Sequence, residues 1–365
     1  MPRAMSRVAA FHVLCECLSS ITLDRRPRES FFEDSESFSW ATVINLAHEY
    51  RVSSAVACAM AAGGPESTTR ASIPFLTGLA GHYRRRNEEI RSEAIKVAAI
   101  LNDIEVTPIF MKGGAHLLAG LYPDIAMRQM SDLDILVPAM RINDCLAKLA
   151  NHGITQVGTY LHPLSHHCRP VSGRGLPVSV ELHHKVVAHP NGEFLTSDQV
   201  IASAVELENY GVRIAVPSPT CAVIHNIAHA QLNNHDHLYG WIDLKSLLDL
   251  ALLSRAHGDK LDWNEIRKRF VYSGWGHAWG FHVQWSHRVG ARVPSLKPAS
   301  AFTRLLYRRA FYHVGAPKML SLNVRLLRPW ILLRREMSDS VLRRRLARNL
   351  VNARWWKRHL RMVFR

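Results

Sequence analysis

Phe110-Met111-Lys112-Gly113-Gly114 is separated by seventeen residues from Asp132, which opens Asp132-Leu133-Asp134-Ile135-Leu136-Val137. A glycine pair joined to two carboxylates at a spacing of two suits metal-assisted work on a triphosphate. Successive side chains of a strand point to opposite faces, so Asp132 and Asp134 share one face while Leu133, Ile135 and Val137 point into a core. Two carboxylates that close repel each other unless a divalent cation lies between them, and hard oxygen ligands suit Mg²⁺. Gly113 and Gly114 carry no side chain, so a phosphate can approach their backbone N–H groups at the start of the following helix. Lys112 and Arg128 would supply positive charge to the phosphates, Arg128 with a bidentate contact.

Elements must hold these residues together. The pattern predicts a short strand over Val106 to Met111, a helix over Ala115 to Leu121, and a second strand over Met130 to Val137, closed by Pro138. A helix over Ile142 to Asn151, ended by His152-Gly153, follows. In a third strand candidate, Leu176 to Val187, Val178, Val180 and Leu182 face one way and Ser179, Glu181 and His183 the other. Glu181 is the acidic residue on a later strand flanked by β-branched residues, which makes it the natural third ligand beside Asp132 and Asp134. Three carboxylates can hold two Mg²⁺ ions, one activating the attacking oxygen and one neutralising the leaving pyrophosphate. Glu181 or one of the aspartates would accept the proton of the attacking group. For the glycines to lie over the carboxylates, the loop containing Arg128 must fold back.

The flanks read as helices. Trp40, Val43, Ile44, Ala47 and Tyr50 recur at helical spacing behind a Ser39 cap, and a longer helix runs from about Pro74 to Ile104. From Pro217 onward helical periodicity returns: Cys221, Ile224, Ile227 and Ala228 mark one helix, Trp241 to Leu253 a second, and Leu261-Asp262-Trp263 opens a third. The fold class is therefore α+β, a small mixed sheet between helical regions.

At these residues the chain resembles the nucleotidyltransferase superfamily of the DNA polymerase beta type. That superfamily places Gly-Gly or Gly-Ser after one strand, Asp-x-Asp on the next and a third carboxylate on a later one. Met111 to Gly114, Tyr122-Pro123-Asp124, Arg128, Asp132-Leu133-Asp134, Glu181-Leu182-His183 and Trp241-Ile242-Asp243-Leu244 look more closely like an uncharacterised bacterial nucleotidyltransferase-like family. The resemblance covers roughly Trp40 to Trp285. It implies Mg²⁺-dependent transfer of a nucleoside monophosphate from an NTP, ATP by default, to an unknown acceptor. Asp132, Asp134 and Glu181 would be catalytic metal ligands, and Lys112, Gly113, Gly114, Arg128 and Ser131 would bind nucleotide. The expected organisation is an N-terminal helical region over 1–104, a nucleotidyltransferase-like core over 105–216, a helical region packing on it over 217–300, and a basic amphipathic arm over 301–365.

Charge is unevenly spread. From residue 301 onward there are 17 Lys or Arg against Glu336 and Asp339, so this stretch holds +15 of the net +16. Arg343-Arg344-Arg345, Arg348, Arg354, Lys357, Arg358 and Arg361 interleave with Leu342, Leu346, Leu350, Trp355, Trp356, Leu360 and Phe364. Such a segment suits an anionic membrane surface, a phosphate backbone or an acidic protein; the plainer alternative is a solvated helix packed on its own body. Six scattered cysteines without a Cys-x-x-Cys pair suggest neither a zinc ribbon nor a disulfide framework. With no run of eighteen uncharged apolar residues and an apolar N-terminal patch broken by His12 and Glu16, the expected location is the cytoplasm, with peripheral contact to the inner face of the membrane as an option.

The histidines carry rival readings. His225 and His229 stand at i and i+4, a zinc-binding spacing, but Asn226 occupies the position where a metalloprotease helix carries its glutamate. His166-His167 and His183-His184 are candidates for lining an acceptor pocket, although no spacing demands it. Asp243 either reaches the site from its helix or serves as a structural hydrogen-bond partner. Two alternatives stand beside the enzyme: a catalytically weak or inactive nucleotide- or RNA-binding protein of the same fold, and a membrane-surface accessory protein of an envelope or peptide-modification pathway.

Overall fold

The structure, a computed structural model, describes residues 5–32, 38–62, 73–158, 165–173, 175–208, 210–294, 300–339 and 343–344 of the 365. Most of the basic segment after residue 340, Trp355 and Trp356 included, lies outside them.

Helices α1 (Arg7–Leu23), α2 (Trp40–Glu49) and α3 (Ser53–Ala61) precede α4, a 30-residue helix over Ile73–Asn102. Ser39 caps α2 as its sequence predicts, accepting from the Thr42 N–H at 3.3 Å. The sheet has seven strands: β1 (Ile109–Phe110), β2 (Asp132–Leu136), β3 (Ile154–Gln156), β4 (Val171–Gly173), β5 (Ser179–His183), β6 (Val205–Glu206) and β7 (Ala215–Val216), in the order β3-β4-β5-β2-β1-β7-β6. β2 pairs in parallel with β5 and β1 with β7, and the other pairings are antiparallel. The sheet is mixed, and the fold is α+β.

Between the strands lie α5 (Lys112–Leu118), α6 (Ile142–Asn151) and α7 (Ser197–Ala202). The last part of the chain is helical: α8 (Pro219–Ala228), α9 (Asp236–Tyr239), α10 (Leu244–His257), α11 (Trp263–Tyr272), α12 (Gly276–Ser286), α13 (Ala301–Gly315) and α14 (Pro317–Met337). A five-residue π-helical stretch, His229–Asn233, extends α8. Asp243 is a hydrogen-bond partner of its own helix: it caps α10, accepting from the Ser246 N–H at 3.2 Å.

Two apolar cores result. One lies between the sheet and helices α4 and α6, where Ile90, Ala94, Val97 and Leu101 of α4 meet Leu133, Ile135, Val137, Val180 and Leu182. Period-two alternation in β2 and β5 sends those residues to one face, and each fully buried aliphatic side chain contributes about 1.5–3 kcal/mol. The other core joins the first three helices to the C-terminal ones: Phe11 of α1 packs on Tyr50 and Trp285, and α13 adds Leu306, Ala310 and Val314. The stretch from α13 to α14 thus begins by packing on the body.

Candidate active site

The strand pairing fixes the carboxylates before any side chain is considered. In the parallel register of β2 and β5, Asp132 lies opposite Ser179 and Asp134 opposite Glu181. The backbone N–H of Met111 donates to the Asp134 carbonyl at 2.9 Å, which delivers Lys112 to the same place. Lys112 holds a left-handed backbone, φ +49°, a conformation that costs a non-glycine residue of the order of 1 kcal/mol and clusters at functional sites. Its Nζ reaches Asp134 Oδ1 at 2.6 Å.

Asp134 is buried. Burial alone would raise its pKa, but Lys112 and His183, whose Nε2 is 2.8 Å from the same Oδ1, outweigh that and hold the carboxyl well below the usual range. His183 is fully buried; burial favours its neutral form, yet Asp134 and Glu181 together raise its pKa. Glu181 is half-buried, 3.7 Å from His183 Nε2 and 3.8 Å from His167 Nε2, and the His183 contact lowers its pKa. Asp132 shares the face but reaches solvent; burial, then the Asp134 charge, raises its pKa.

A divalent ion fits this donor set. Asp134, Glu181 and His183 each offer one donor atom, and the three lie within 4.8 Å of one another. Both side-chain contacts of Asp134 fall on Oδ1. Asp134 and Glu181 supply the hard oxygens that suit a divalent cation, and His183, hydrogen-bonded to Asp134, orients that carboxylate. Among the described residues no other His/Cys/Asp/Glu group gathers this way, so His225 and His229 form no such centre.

Lys112, paired with Asp134, also lines a cavity of about 110 Å³ together with Arg51, Arg128, Lys245, Asp243 and Asp249, with His116, His225 and His229 in its walls. Burial is the main reason that these three histidines have lowered pKa values, about 4 for His116 and about 3 for His225, so they are neutral near pH 7. Arg128 lines this cavity, but the fork expected to meet a phosphate is engaged elsewhere: Nε and Nη2 each donate to Asp249 at 2.9 Å. Tyr122 donates to the same carboxylate, and Arg128 Nη1 donates to the Gln129 carbonyl. The cation with fewer ties is Lys245, half-buried, whose pKa falls to about 8 because of the Arg128 charge and then burial.

The glycines are tightly packed. A Cβ on Gly113 would meet Met130 Sδ at 2.4 Å, and one on Gly114 would meet Leu133 at 3.3 Å, so both residues let α5 lie against β2. Ser131 is exposed at the bend before β2. The loop between α5 and β2 does fold back: Asn87 of α4 donates to the Ile125 and Arg128 carbonyls at 2.6 and 2.8 Å, and Ser54 donates to Met127. Arg84 pairs with Asp124 at the loop's outer edge.

The model of a family described as uncharacterised nucleotidyltransferase matches residues 36–288, from the approach to α2 to the end of α12. The chain belongs to that family. No curated protein and no solved structure matches the chain. Nucleotidyl transfer is therefore the general kind of reaction, and a nucleotide the class of substrate. The match takes in all seven strands, Lys112, the three carboxylates and the cavity-lining Lys245, and it leaves out α1, α13 and α14.

Two residues of this candidate site, Lys245 and Asp249, escaped sequence reasoning, whereas His183 was a candidate because it shares the Glu181 face two residues on. Lys245 sits beside the Trp-x-Asp-Leu stretch but has no period linking it to the strands. Asp249 lies 121 residues from Arg128, and nothing local joins them.

Proposed function

We propose that the protein transfers a nucleoside monophosphate from an NTP to an acceptor nucleophile with Mg²⁺ bound by Asp132, Asp134 and Glu181. The observation that carries this reading is the register of β2 and β5, which aligns Asp134 with Glu181, together with Lys112, which pairs with Asp134 and also lines a cavity with Arg51, Arg128 and Lys245. Bound there, divalent cations would neutralise charge on the α-phosphate and the leaving pyrophosphate. Lys112 and Lys245 bind the β- and γ-phosphates, and Arg51 at the mouth adds a third charge. His183 holds Asp134 in place from the buried side, and the neutral histidines keep the cavity wall polar without competing for phosphate. Asp132 and Glu181, the carboxylates that reach solvent, face the side from which an acceptor enters and gives up its proton. Phosphorus exchanges its bond to the pyrophosphate oxygen for one to the acceptor oxygen, and pyrophosphate leaves.

Incubation with each of the four NTPs, labelled at the α-phosphate, and Mg²⁺, across a panel of hydroxyl-bearing small molecules, peptides and proteins, tests the reading. Label transfer with stoichiometric pyrophosphate is expected, falling at least about 10³-fold in Asp132→Asn with Asp134→Asn. Transfer that survives the double substitution would refute the assignment.

A further inference from the structure

Helix α14 carries two apolar faces. Leu320, Val324, Leu327 and Ile331 are half-buried toward the body, and Asn323 fixes the helix by donating to the Leu238 and Tyr239 carbonyls at the end of α9. A second row, Met319, Leu322, Leu326, Trp330, Leu333 and Met337, is exposed, with Leu326 at 62% and Trp330 at 71%. At 3.6 residues per turn these six fall within an arc of roughly 80°. Exposed Lys318 and Arg325 border the row on one side and Arg334 on the other.

We propose that this exposed face of α14 lies in the plane of an anionic lipid surface, its apolar row at the acyl boundary and its border arginines and lysine among the headgroups. An exposed apolar stripe on an ordered helix marks an interaction site. The charge around it selects the partner: from residue 301 to the end the sequence has 17 Lys or Arg and two acidic residues, and beyond 340 it has nine basic residues and no acidic one. Among the described residues no helix is long and apolar enough to cross a membrane, so an in-plane geometry is the one available. RNA is disfavoured, because single-strand binding needs cations and stacking rings on one surface, and here one ring stands among five Leu and Met side chains. A second copy is disfavoured as well. Two such faces in isologous contact would set one stripe's bordering cations against the other's.

Cosedimentation of the full chain with phosphatidylcholine vesicles, pure or containing about 30% phosphatidylglycerol, at near-physiological salt tests this. The chain is expected in the pellet with the anionic vesicles and not with the neutral ones. Leu326→Glu with Trp330→Glu should lower the partition coefficient at least about tenfold, and so should Lys318→Glu with Arg325→Glu and Arg334→Glu. All five positions are exposed, so far-ultraviolet circular dichroism should be unchanged. Equal binding to neutral vesicles, no binding to anionic ones, or anionic binding that both variants retain would overturn the proposal. So would a lipid-free dimer that the Leu326→Glu and Trp330→Glu pair dissociates, or RNA retention that the same pair abolishes.

Discussion

Asp134 takes both Lys112 Nζ and His183 Nε2 on one oxygen, and this is the feature that distinguishes it from an ordinary strand aspartate. Loss of one partner from a buried charge cluster costs about 3–5 kcal/mol, so Asp249→Asn, which half-strips the Arg128 fork, should lower stability by that order in urea unfolding. Lys245 is the residue with a pH signature. Its pKa of about 8 makes it charged below that value and neutral above it. The ratio kcat/KM for the NTP should therefore decline as pH rises through about 8, and Lys245→Arg should flatten that limb because guanidinium stays charged. At this scale the sequence was partly legible. Period-two alternation was enough to pair Asp132 with Asp134 and to turn Glu181 toward them, since strand geometry is local. It did not reveal that Arg128 is held by Asp249, because a salt bridge between a loop and a helix 121 residues away leaves no periodic trace.

The loop between α5 and β2 is the element on which the site depends. Asn87, fully buried on α4, carries two of its carbonyls, and Ser54 of α3 a third. Asn87→Ala leaves those carbonyls without donors and should cost about 1–3 kcal/mol, with hydrogen exchange rising at Ala126 to Gln129 ahead of the β2 amides. Gly113→Ala tests the close seat of α5 on β2. Met130 must swing aside, so a cost of about 1–3 kcal/mol by thermal melting is expected, together with a raised KM for the NTP. Long helices were legible because their apolar period repeats many times: α4 and α6 emerge close to their predicted bounds. Strands β3, β4, β6 and β7 were not, because two or three residues complete no recognisable alternation and depend on neighbours brought in from elsewhere.

At the scale of the whole molecule, α1 ties the first helices to those that follow the sheet. Phe11 is buried against Tyr50 and Trp285, and Thr22 donates to the Val289 carbonyl at 2.6 Å. Phe11→Ala should cost about 3–5 kcal/mol in one cooperative transition, a value readable by calorimetry. That long-range closure was invisible in sequence, which showed the helices but not which ones meet. Joint binding of a nucleotide and its metal can be tested without knowing the acceptor. Calorimetric titration with a non-hydrolysable NTP analogue, with and without Mg²⁺, is the most direct measurement. One site per chain is expected, requiring Mg²⁺, abolished by Asp132→Asn with Asp134→Asn, and weakened about tenfold by Lys245→Ala. Equal binding without Mg²⁺, or binding indifferent to the aspartates, would contradict it.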